Sequence, residues 1–99
     1  MNKWIVTIYS ELYEYNNYGY QFVKLLDEDN KVFDSEEKAK EFIDNYILSC
    51  EMIGNNVYSE KLTLYEIDNY SNIIYEYPTY NYSYSKEEIE EKLGVKIVY

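Results

Sequence analysis

The sequence predicts an α+β domain, an antiparallel sheet of about five strands with two helices in the order β-β-(β)-α-β-β-α-β. Three observations predict it. Trp4, Val6 and Ile8 alternate with Ile5, Thr7 and Tyr9, the period of a half-buried strand. Ala39, Phe42, Ile43, Tyr46, Ile47 and Cys50 recur at the spacing of one helix face. Ser85 with Glu88 makes a capping box, and Gly94 suits the stop of a second helix.

Taken in order, the alternation of the first strand continues through Leu12 to Tyr15, and Asn16-Asn17 supplies the turn, because Asn tolerates the left-handed backbone of a two-residue hairpin. The pattern resumes over 18–26, so Tyr15 should face Tyr18, Tyr13 should face Tyr20, and Glu11 should face Phe22. One hairpin face then carries Tyr9, Tyr13, Tyr15, Tyr18, Tyr20 and Phe22. The other carries Trp4, Val6, Ile8, Leu12, Val23 and Leu25 and is the better core candidate. Residues 27–30 (Asp-Glu-Asp-Asn) read as a polar turn before the optional third strand Lys31-Val32-Phe33. The first helix follows, capped by Asp34 with Glu37 or by Ser35, and should end near residues 52–54. Residues 61–68 alternate as a strand, 69–72 turn the chain, and Ile73, Tyr75 and Tyr77 begin another strand that Pro78 interrupts before Tyr80, Tyr82 and Tyr84. After the second helix, 95–99 close as a short strand, with one helix-covered sheet side.

Ninety-nine residues make one domain, 1–99. Nine Lys, no Arg and nineteen Asp plus Glu give a net charge of −10, which nucleic acid and anionic membrane surfaces both repel. With no His and the single Cys50, imidazole-based triads, His/Cys zinc sites and internal disulfides are all excluded. AT-rich coding explains an excess of Tyr, Asn and Ile, but it raises Lys as well and so does not explain the acidity. No apolar segment has the length of a signal peptide's core or of a membrane span, which predicts a cytoplasmic protein.

The spacing of the polar residues fits no known catalytic or ligand-binding motif. Asp27-Glu28-Asp29 starts like a calcium loop, but Lys31, Val32 and Lys38 occupy positions that need an oxygen ligand, a glycine and a closing carboxylate. Gly19, Gly54 and Gly94 are too far apart for a phosphate loop. Cys50, on the apolar helix face, reads as a small hydrophobe with nothing to activate its thiol. No nucleophile-base pair, metal set or cofactor site emerges, so the chain reads as a non-enzyme.

Two constellations remain. Glu37, Glu41 and Asp44 form a negative stripe on the first helix about 10 Å long, a like-charge arrangement that costs some tenths of a kcal/mol per pair. Glu87, Glu88 and Glu91 repeat the theme on the second helix. Fifteen Tyr form the other constellation, concentrated on the hairpin and at Tyr75, Tyr77, Tyr80 and Tyr82 beside Glu66, Asp68 and Glu76. Tyrosine offers rigid contact area at low entropy cost, and its ring stacks beneath guanidinium groups while carboxylates bond their edges. These thirteen residues are the partner-binding candidates. Cross-strand Tyr stacking and a solvated acidic helix are the plainer readings of the same residues.

In its acidic helices (36–44 and 87–91) and tyrosine segments, the chain resembles the small inhibitor proteins of phages and mobile elements, including anti-CRISPR proteins and other DNA mimics. The likeness is one of overall character, without a matched motif. It implies a protein that blocks the groove of a host nucleic-acid-binding protein, such as a CRISPR-Cas effector, by placing negative charge where phosphates would sit. The alternative is a small assembly protein that self-associates, as a homodimer for example, through its tyrosine-rich strand edge.

Overall fold

The computed structural model describes the backbone of residues 1–16, 19–80 and 82–94, and of these the side chains outside residues 15–24. The elements are β1 (Lys3–Asn16), β2 (Gly19–Phe33), α1 (Glu36–Asn45), β3 (Cys50–Ile53), β4 (Asn56–Ile67), β5 (Ile73–Glu76), a 3-10 turn (Pro78–Tyr80), β6 (Tyr82–Ser83) and α2 (Lys86–Leu93). The α+β class holds, with one antiparallel sheet of six strands among the described residues rather than about five. Its spine is β2-β1-β4, and the far edge of β4 is covered in succession by β3, β6 and β5.

Five local expectations differ in the structure. The register of the first hairpin differs from the one expected of an Asn16-Asn17 turn: Asn16 pairs with Gly19, Tyr15 with Tyr20 and Tyr13 with Phe22, and residues 17–18 are outside the described ones. Residues 27–30 do not turn. They continue β2 to Phe33, and bulges opposite Ser10/Glu11 and Leu12/Tyr13 shift its phase, so Leu25 is exposed instead of joining the core. The first helix stops at Asn45, not near 52–54, because Tyr46 adopts an extended backbone and the Asn45 amide donates to the Glu41 carbonyl. Cys50 to Ile53 are therefore strand, turned onto β4 by Gly54 at φ 61°, a left-handed conformation open to glycine without cost. The strand expected over 95–99 lies outside the described residues.

Other signals translate directly. The Ser35 side chain accepts from the Lys38 N–H and caps α1. Ser85 accepts from the Glu88 N–H while its hydroxyl donates to the Glu88 carboxylate, and Gly94 ends α2 at φ 66°. Pro78 breaks the tyrosine strand into β5 and β6.

The register of β1 on β4 runs unbroken from Lys3↔Ile67 to Glu14↔Asn56, so residue parity assigns each side chain to a face. Val6, Ile8, Leu62 and Leu64 share one face and bury Ala39 and Ile43 of α1. Tyr13 and Val57 lie on the opposite face and bury Ile89 of α2. The helices thus cover opposite faces at opposite ends of the sheet, which corrects the single covered side, and Tyr13, expected outside, is buried. An eight-residue helix holds little structure unaided, so α2 depends on this second, smaller cluster. Ile89→Ala is expected to raise hydrogen exchange throughout α2 while α1 amides keep their protection. Equal loss in both helices would contradict two separate clusters.

Candidate functional site: an acidic tyrosine face

On the α1 side, Trp4 and Phe33 are cross-strand partners at the end of the β1-β2 ladder. Phe33 stacks on Phe42 at 5.4 Å and Phe42 on Tyr46 at 5.6 Å, which fixes the helix axis against the sheet. The Trp4 indole N–H donates to the Tyr77 hydroxyl at 3.1 Å, and the Tyr77 N–H donates to the Leu64 carbonyl. Tyr77 is thereby held at the centre of a ladder of rings. Tyr75 meets it edge-on at 4.6 Å and 90°, Tyr80 follows at 6.3 Å, and Tyr82 follows Tyr80 at 6.3 Å.

A cation already sits on this ladder. Lys40 Nζ lies 5.8 Å from the Tyr77 ring centre and 5.3 Å from that of Tyr80, and it pairs with Glu36 at 2.6 Å. The Glu36 hydrogen bond raises the Lys40 pKa above its ordinary value. The same ring-and-carboxylate seat recurs where Lys61 lies 5.1 Å over Tyr9 and 3.8 Å from Glu11. Glu36 and Lys40 stand one helical turn apart in the sequence. The i,i+4 spacing was legible, but the rings beneath come from 37 and 40 residues further along the chain.

Between α1 and β6 lies a cleft of about 340 Å³, lined by Ile43, Asp44, Tyr46, Leu48, Leu62, Tyr82 and Tyr84. Of these lining residues, Tyr46 donates its hydroxyl to both Glu60 carboxylate oxygens at 2.9 and 3.0 Å, and the Ser49 N–H donates to the same carboxylate at 2.8 Å. Burial first, then the Glu60 hydrogen bond, pushes the Tyr46 phenol up to about 12 from its ordinary value near 10. A raised phenol pKa means the native state keeps a proton that the unfolded chain releases, so this contribution is complete below pH 10 and is lost on going to pH 12. One tyrosine is therefore expected to ionise last in an absorbance titration. Tyr46→Phe should remove that late step, and its persistence in the variant would contradict the assignment.

The sequence candidates divide by face. Glu37, Glu41 and Asp44 are exposed on the outer side of α1. Glu66, cross-strand from both Trp4 and Tyr75, shares their face and accepts from the Asn2 amide at 2.7 Å. Tyr75, Tyr77, Tyr80 and Tyr82 complete this face. Glu76 is the partner of Tyr65 and belongs to the opposite face. Asp68 closes the 69–72 turn, where N–H groups of Asn72 and Tyr70 hold its carboxyl below the usual range. Glu88 belongs to the α2 cap, and Glu87 and Glu91 stand with it on the helix that covers the other face. Cys50, packed against the α2 cluster, has its thiol pKa raised by burial.

Compared with protein families, characterised proteins and solved structures, the chain matches none. Among the described residues, no helix is long and apolar enough to cross a membrane.

Proposed function

We propose that the protein is a non-enzymatic inhibitor that docks its acidic tyrosine face into the basic groove of a host nucleic-acid-binding protein, such as a CRISPR-Cas effector, in the cytoplasm of a bacterial host. The observation that carries this reading is the seat of Lys40. One surface combines rings, a carboxylate and a bound ammonium group, with the like-charged stripe of Glu37, Glu41 and Asp44 beside it. Exposed carboxylates supply steering and charge complementarity, and tyrosines supply contact area. The α2 acids, on the other face, add to the long-range field rather than to the contact.

Affinity capture from a bacterial lysate, washed at low and then high salt, tests this. Recovery of a salt-sensitive nucleic-acid-binding protein is the expected result; recovery of no such protein removes the reading. A second reading keeps self-association by sheet extension but moves it from the expected tyrosine-rich strand edge to the outer edge of β2, where no described strand pairs and where Leu25, Leu26 and Val32 are exposed. Asp27, Glu28 and Asp29 on that same strand oppose pairing with a second copy. Sedimentation showing a concentration-independent dimer would favour it over the inhibitor.

A further inference from the structure

The cleft between α1 and β6 brings three kinds of side chain together. Its floor is aliphatic (Ile43, Leu48 and Leu62), its wall is aromatic (Tyr82 and Tyr84), and Asp44 stands at its rim. Asp44 makes no ion pair with any described residue. Its volume of about 340 Å³ lies at the small end of ligand pockets, roughly 300–1,000 Å³, and suits one long side chain rather than a folded element.

The chain's own lysines show how such walls hold a cation. Lys40 lies over Tyr77 and Tyr80, and Lys92 lies 4.7 Å over Tyr84 while donating to its hydroxyl at 3.0 Å. That hydroxyl in turn donates to the Leu48 carbonyl at 2.6 Å, so the Tyr84 ring is fixed in place as a wall. Tyr82, 41% exposed, extends the same wall beside Asp44.

Resting on the inhibitor reading, we propose that this cleft takes a single arginine side chain of the partner. The methylene stem would lie on Ile43, Leu48 and Leu62, and the guanidinium would stack along Tyr82 and be bonded at its edge by Asp44. A guanidinium fits better than an ammonium because it is planar, more weakly hydrated and able to bond a carboxylate through two N–H groups at once.

The test titrates the isotopically labelled full chain with the blocked peptide acetyl-Gly-Arg-Gly-amide, followed by NMR, beside the same peptide with lysine or with citrulline. Shifts confined to residues 43–48, 82 and 84 are expected, weaker for lysine and lost for citrulline, which keeps the shape but not the charge. Asp44→Asn should weaken binding about tenfold, or about 1.4 kcal/mol, whereas the remote Glu14→Gln should not alter it. Shifts spread over all the acidic positions, no shifts, or an Asp44→Asn affinity equal to wild type would each overturn the proposal. The two readings fail separately. Partner capture retained at full strength by Asp44→Asn would refute the arginine seat and leave the inhibitor standing, whereas failure of wild-type capture would remove the inhibitor while the peptide shifts still report on the cleft.

Discussion

Leu64→Ala is expected to cost about 3 kcal/mol, within the 2–5 kcal/mol range for deleting a buried leucine where the surroundings relax only partly. Leu64 is fully buried, faces Val6 across the β1-β4 ladder, and lies beneath Ala39 and Ile43. Its carbonyl accepts the Tyr77 N–H, so the same residue anchors the helix and the centre of the tyrosine ladder. For a domain of this size the loss corresponds to a fall in Tm of roughly 12–24 °C, measurable by thermal melting in circular dichroism. Because α1 and the ladder share this support, the ring contacts of Tyr75 and Tyr80 to Tyr77 should broaden in NMR before the global transition. A loss below about 1 kcal/mol would show that the α1 cluster is not the main core.

The second large effect concerns binding. Reversing Glu37, Glu41 and Asp44 to Lys adds two charges at each position and takes the formal net charge from −10 to −4. Affinity for the basic partner should fall on the order of a hundredfold, mostly in the association rate, and the salt dependence should flatten. Folding should change little: all three side chains are exposed, and the like-charge cost of i,i+3 and i,i+4 neighbours is only tenths of a kcal/mol for either sign. Stopped-flow association at two salt concentrations reads this directly, with melting as the control. An unchanged association rate would remove the α1 stripe from the mechanism.

Much of the fold was legible because its signals are local. Ser85, Glu88 and Gly94 mark α2 by side chains and backbone within a few residues of each other, and Pro78 marks its break by lacking an N–H. The end of α1 was not legible, since Ile47 and Cys50 continue the helical period with no glycine or proline to stop it. What holds the following segment out of the helix is the Glu60 carboxylate, accepting from Tyr46 and Ser49 across 14 and 11 residues. The β2 bulges were hidden for the same kind of reason, being set by pairing with β1 rather than by local composition. The candidate site shows the same division. The acidic stripe follows from helical spacing alone, but the placement of α2 on the opposite face depends on Tyr13 and Val57 packing with Ile89 while Val6 and Leu64, of the other parity, pack with Ala39 and Ile43. A uniform period of two gives no hint of which helix each face receives.

The most direct test of the account is competition between this protein and nucleic acid for the captured partner, read as fluorescence anisotropy of a labelled oligonucleotide. The account predicts displacement of the oligonucleotide at a one-to-one ratio of protein to partner, weakened by salt and absent for the triple reversal of Glu37, Glu41 and Asp44. A stable ternary complex, with the oligonucleotide still bound at saturating protein, would contradict it.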